Sequence, residues 1–167
     1  MSHGPFSRLV RWPGHCWLAL AARLYLGVVF LAACYHKILH PDLFALDVAT
    51  YQFLPLALVN FFAITLPWVE LGAGVPLVIG WRTRPAALLV ALMMVAFMIA
   101  LGWALHKGLD MSCGCFASSG AEEDPISAAT LWRDAGWLAL ALYVLLLDRK
   151  PLGLERLLAR RKKEARR

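Results

Sequence analysis

Cys113 and Cys115 stand two positions apart with only Gly114 between them, in the stretch Met111-Ser112-Cys113-Gly114-Cys115-Phe116. Two thiols that close can shut only a small disulfide ring, and glycine supplies the backbone freedom such a ring needs. A tight, exposed disulfide is more strained, and so more oxidising, than a buried structural bridge. The pair therefore reads first as a redox dithiol. Two other readings stay open. One is a structural bridge that merely holds a loop. The other is a soft-metal site, because thiolates suit Cu(I) and Met111 and His106 are close in sequence. Zinc fits less well: a structural zinc site usually takes four Cys/His ligands, and no second ligand pair stands at suitable spacing.

A few charged or thiol-bearing residues could support that pair. Cys34 closes the first apolar run. It could resolve a mixed disulfide, or it could simply fill space as a small buried apolar residue. Lys37 and Arg133 are cations that could lower a thiol pKa. Asp134 follows Arg133, and adjacent residues on a helix do not face each other, so the two should have different partners. Arg23, Gly27, Phe30, Cys34 and Lys37 recur at helical spacing and share one face. Ala63, Pro67, Glu70 and Gly74 repeat the pattern. Counted along ideal helices, Arg23 lies about 13 Å and Glu70 about 18 Å from the same side. An intramembrane pair between Arg23 and Glu70 is the expectation, since such charges pair or line a pathway. Trp68, Trp81, Trp103, Trp132 and Trp137 read mainly as interface anchors. Met93, Met94 and Met98 read as packing residues.

These residues need elements to hold them, and composition says which kind. The chain has a mean hydropathy of +0.62, with 60% apolar and 17% charged residues. That is too apolar for an ordinary soluble domain and indicates a membrane protein. The net charge of +6 is carried by the tail 148–167, with nine Lys/Arg against three Asp/Glu. A short basic tail after an apolar run reads as an anchor on anionic lipid, not as a nucleic-acid surface.

The expected architecture is all-α, a polytopic four-helix membrane bundle. Its spans run at about 16–35, 53–80, 85–105 and 128–147, in a membrane domain 16–147 between a short segment 1–15 and the basic tail 148–167. Pro41-Asp42 can start a short surface helix between the first two spans. Asp124-Pro125 reads as an N-cap with proline at the first helical position. The N-terminus, the Arg82/Arg84 turn and the tail are basic, whereas the other two loops are acidic. By the positive-inside rule both termini are cytoplasmic, and the Cys113/Cys115 loop faces the periplasm or exterior of an inner (plasma) membrane. Disulfides persist on that side. A lipoprotein-type signal ending at Cys34 competes with the first span, but Arg23 and the length of the run argue against it.

The residues now assembled carry a resemblance. Arg23 with Gly27 and Phe30, then Lys37, the Leu66-Pro67, Glu70, Gly74, Gly80, Arg84 series, the Cys113-Gly114-Cys115-Phe116 loop and Arg133-Asp134 resemble the DoxX-like membrane proteins, and among them the methylamine-utilisation protein MauE branch. That family usually reads Cys-Gly-Cys-Phe-Gly, and here the last residue is Ala117. The resemblance implies a four-helix membrane protein linked to redox chemistry. MauE-like proteins are associated with disulfide maturation of a periplasmic dehydrogenase alongside a thioredoxin-like partner, and DoxX-like proteins with quinone-linked sulfur oxidation. By architecture alone the plan also resembles the vitamin K epoxide reductase and DsbB type of quinone-coupled thiol oxidase.

The leading expectation is thus a thiol–disulfide oxidoreductase. Cys113 and Cys115 would exchange with an extracytoplasmic thioredoxin-like or substrate protein, with membrane quinone as the further electron carrier. The alternatives are a non-enzymatic assembly factor for a periplasmic redox enzyme and a copper-binding membrane protein.

Overall fold

The computed structural model describes residues 15–109, 127–148, 153 and 164. Five helices account for them: α1 (His15–Leu39), α2 (Pro41–Thr50), α3 (Leu56–Ile79), α4 (Thr83–His106) and α5 (Ala128–Leu147). Among the described residues there is no strand. All but α2 are long and apolar enough to cross a membrane, with 20 to 25 residues each. At 1.5 Å per residue they match a hydrocarbon core of about 30 Å.

The bundle is inside-out relative to a soluble one. Its outer faces carry Tyr25, Val28, Phe61, Ile64, Leu92 and Ile99, all exposed. Its interior is built largely from small residues, including Ala22, Ala73, Ala86, Ala87, Ala91 and Ala141. Lipid tails are as apolar as leucine, so helices associate through close packing of small residues. The α1–α3 contact shows this most sharply. A Cβ on Gly27 would lie 3.2 Å from the Gly74 carbonyl oxygen, and a Cβ on Gly74 would lie 3.2 Å from the Gly27 carbonyl oxygen. The two backbones meet at this crossing, and neither glycine has room for a side chain.

Helix ends differ from the sequence expectation for local reasons. α1 continues past Tyr35 to Leu39 because Lys37, which hydropathy reads as a loop residue, is buried. α3 begins only at Leu56, after Pro55 at its N-cap, and then runs through Pro67 and Pro76. Gly80 ends it in the left-handed region (φ 75°), with the Gly80 and Trp81 N–H groups both donating to Pro76 O. This is the glycine stop common at helix C-termini. α5 starts at Ala128, after Ser127, and ends at Leu147, as expected for the fourth span. Ser127 is extended, and its backbone N–H donates to Thr130 Oγ1 at 3.3 Å. Residues 124–126 lie outside the described set.

The two ends of the bundle have different characters. At one end Arg84 Nε donates to Leu145 O at 3.3 Å, placing a cation on the exposed carbonyls at the C-terminus of α5. Arg23, Gly80 and Asp148 gather at the same end. At the other end α2 folds across the bundle beside Lys37, and the chain leaves α4 and re-enters α5.

Candidate functional site

A cavity of about 390 Å³ occupies the Lys37 end, lined by residues of α1, α2, α3, α4 and α5 and of the α2–α3 connection. Phe30, Phe44, Met94, Phe97 and Trp137 provide apolar walls, and Lys37, Asp47, Glu70 and Asp134 bring charge to them. Each polar group is delivered by a different segment. Lys37 comes from the last turns of α1, Asp47 from α2, Glu70 from the middle of α3, and Asp134 from the second turn of α5.

Lys37 Nζ lies 2.6 Å from Glu70 Oε1, and both side chains are almost wholly buried. The ammonium also sits 4.8 Å above the Phe44 ring, a cation–π contact that α2 provides by folding back. This overturns the expected Arg23–Glu70 pair. Gly27 and Gly74 mark where the antiparallel α1 and α3 cross. Arg23 is four residues before Gly27, and Glu70 is four residues before Gly74. In antiparallel helices those steps run in opposite directions, about 6 Å each. Helical side chains also lean toward their own N-terminus, which carries the two groups further apart. The Arg23 guanidinium instead lies against Gly80 and near Asp148.

Arg133 and Asp134 also differ from expectation. Arg133 Nε donates to Asp134 Oδ1 at 3.3 Å, so the neighbours do contact each other. The arginine stem is long enough to fold back while its guanidinium rests 4.9 Å over Trp137. Asp134 is 0% exposed. Trp137 is buried in the core and lines the cavity, so it is not an interface anchor, whereas Trp68, Trp81, Trp103 and Trp132 are exposed.

Two carboxylate oxygens stand out. Glu70 Oε2 and Asp134 Oδ2 are buried, and neither has a hydrogen-bond partner among the described residues.

Tyr51 was not singled out by sequence, and nothing in its local pattern distinguishes it. It follows α2, is buried and lines the cavity. Burial, with the Asp134 and Asp47 carboxylates nearby, pushes its phenol well above the usual tyrosine range. It therefore stays protonated at neutral pH.

Cys34 is buried, and its thiol donates to Leu31 O at 3.2 Å within its own helix. It lies close enough to Glu70 and Lys37 to feel both charges, but does not line the cavity. Cys16 and Cys34 are free thiols. Cys113 and Cys115 lie outside the described residues. The chain that carries them leaves after Leu109 and returns at Ser127, both at the cavity end. Among the described residues no group of His, Cys, Asp and Glu could hold a metal ion.

These features define an all-α, multi-pass membrane protein of four spans with a charged cavity near one end. The chain matches the family described as methylamine utilisation protein MauE over residues 15–147 and belongs to that family. It is 31% identical over 125 residues to the methylamine utilization protein MauE of Paracoccus denitrificans, covering 74% of this chain and 66% of that protein. It is 34% identical to the protein of the same name from Methylophilus methylotrophus, covering 59% of this chain and 52% of that one. With the Methylorubrum extorquens protein of that name it shares 34% identity, over 72% of this chain and 64% of the relative. The chain thus spans between about half and just under two-thirds of these relatives' lengths. No solved structure matches it.

Proposed function

We propose that the protein is a membrane thiol–disulfide redox protein working through Cys113 and Cys115. The observation that carries this reading is positional. The loop bearing both cysteines is tethered by α4 and α5 at the end of the bundle where Lys37, Glu70 and Asp134 converge on a cavity. The opposite end gathers Arg23, Arg82 and Arg84 and leads into the basic tail. That segregation supports an inner-membrane orientation with both termini cytoplasmic and the loop facing outward.

A thiolate of an extracytoplasmic thioredoxin-like or substrate protein attacks one sulfur of the Cys113–Cys115 disulfide. That S–S bond breaks, a mixed disulfide forms, and the released thiolate takes a proton. The partner's second thiolate then attacks the mixed disulfide and leaves with its own disulfide. Cys113 and Cys115 remain as a dithiol holding two electrons and two protons, which pass to a lipid-soluble quinone. Lys37 and Arg133 are among the cations at this end that would favour a thiolate. The relatives' name links them to methylamine utilisation. Disulfide maturation of a periplasmic dehydrogenase in that system is the physiological setting that suits this chemistry.

The test is trapping. Cys113→Ser and Cys115→Ser should each be expressed in cells, and mixed disulfides identified by mass. One of the two should accumulate a covalent adduct with a partner thiol protein. Full function of the double serine variant would refute the reading. So would labelling of the loop only from the cytoplasm.

A further inference from the structure

We propose that the cavity at the Lys37 end opens sideways between α3 and α4 and holds one acyl chain of a phospholipid whose phosphate lies beside Lys107. The inference needs only that the bundle spans a bilayer, and it is independent of the thiol chemistry above. Phe30, Phe62, Leu66, Met94 and Phe97 give the cavity hydrocarbon walls. The charged residues among them turn their polar atoms into the protein. Lys37 Nζ is taken up by Glu70 and the Phe44 ring. Glu70 Oε2 and Asp134 Oδ2 each have less than 1 Å² of accessible surface, so no occupant touches them. Apolar cavities of this kind stay free of water. A ligand with polar groups along its body would lose their hydration there with nothing in return.

The mouth points to the source of the occupant. Phe62 and Ala96 both line the cavity and are both exposed on the outside of the bundle. Phe62 lies six residues after Leu56 and Ala100 six before His106, so in these antiparallel helices they stand level, about 9 Å in. Leu66 and Ala96 stand level about 15 Å in. The two alanines of α4 leave a seam that larger side chains would close. At that depth the seam faces acyl chains, not water. On α1 the deepest lining residue, Val29, lies ten residues before Leu39, about 15 Å. One leaflet of a hydrocarbon core of about 30 Å has that depth.

Charge at the rim places the headgroup. Lys107 directly follows α4, is exposed, and makes no ion pair among the described residues. Its ammonium sits 5.1 Å over the Trp103 ring. Trp103 meets Phe53 edge-on, with ring centroids 6.4 Å apart, and Phe53 lines the cavity. These three side chains connect a cation at the interface to the apolar interior. A tryptophan at headgroup level with a cation over it suits a lipid phosphate.

The experiment uses the full chain, delipidated in detergent and titrated with phosphatidylglycerol, with bound lipid read by native mass spectrometry. One lipid should be retained per chain. Ala96→Phe, which plugs the seam, should weaken retention at least about tenfold. Lys107→Gln should weaken it about fivefold. Leu92→Phe, exposed on the same helix but away from the cavity, should leave it unchanged. A second readout locates the chain. With every tryptophan but Trp137 replaced by Phe, phosphatidylglycerol brominated midway along its chains should quench the remaining fluorescence. Ala96→Phe should remove most of that quenching. If the single-tryptophan chain does not fold, the mass titration of the unaltered chain still decides the matter. Equal retention by Ala96→Phe and the unaltered chain would overturn the proposal, and unchanged affinity in Lys107→Gln would overturn the headgroup placement. Displacement of the lipid by a lower concentration of ubiquinone would give the cavity to a different ligand and overturn the proposal. So would a dimer that Ala96→Phe abolishes and that retains no lipid, which would give the seam to a second copy of the chain.

Discussion

Lys37 and Glu70, 33 residues apart in sequence, meet at 2.6 Å inside the bundle and tie the end of α1 to the middle of α3. Desolvating both charges is costly, and their attraction offsets that cost only while both are present.

Breaking the pair on one side should therefore be worse than removing it. Glu70→Gln is expected to destabilise the protein by about 3–5 kcal/mol, because it strands a buried ammonium. Adding Lys37→Met should recover most of that loss, whereas adding Arg23→Met should not. Thermal unfolding of the three variants in one detergent measures this. Rescue by Arg23→Met in place of Lys37→Met would contradict the geometry.

The glycine crossing predicts a contrast between close positions. Gly74→Leu should destabilise α1–α3 packing by at least about 1–3 kcal/mol, since even its Cβ would press on Leu31 and the Gly27 carbonyl. Gly72→Ala, two residues earlier, meets nothing within 4 Å and should be close to neutral. Unfolding midpoints of the two variants give the comparison.

The Arg84 contact predicts a modest effect. Arg84→Ala removes the donor to Leu145 O and should cost about 0.5–1.5 kcal/mol. Lysine at this position should keep part of the benefit through its charge alone. Hydrogen exchange of the last turn of α5 is the sensitive readout.

Cys34 should behave as a packing residue. In the folded protein it is expected to resist a membrane-permeant maleimide and to react once the chain is unfolded in SDS. Cys34→Ala should keep whatever thiol-exchange activity Cys113 and Cys115 have. Loss of mixed-disulfide formation in that variant would make Cys34 a participant.

Tyr51 predicts a response to alkali. Its phenol titrates higher in the folded protein than in the unfolded chain. Above about pH 10 the unfolded state therefore loses its proton first, and stability falls as pH rises. Tyr51→Phe should flatten that fall. An unchanged slope between pH 9 and 11 would show that Tyr51 is not its source.

Much of the bundle could be read from the chain. Long apolar runs with few charges read as spans, and within lipid their backbone groups must be paired inside a helix. Even the inward faces were legible: Arg23, Gly27, Phe30, Cys34 and Lys37, placed on one stripe by helical spacing, are all buried in α1, and Ala63, Pro67, Glu70 and Gly74 are all buried in α3. Periodicity fixes which way a residue points around its own axis.

Pairing was a different matter. Hydropathy estimates how deep a residue lies by counting from the ends of a run, and α1 runs four residues past Tyr35. The axial register of α1 against α3 is set where Gly27 meets Gly74, a contact between residues 47 positions apart. That crossing carries Arg23 to the Gly80 end and gives Glu70 to Lys37. The cavity is likewise a product of five segments arriving together, so Tyr51 and Trp137 acquire their places in it only through packing. Local spacing determined the helices and their faces; tertiary register alone decided which charges meet and what space they enclose.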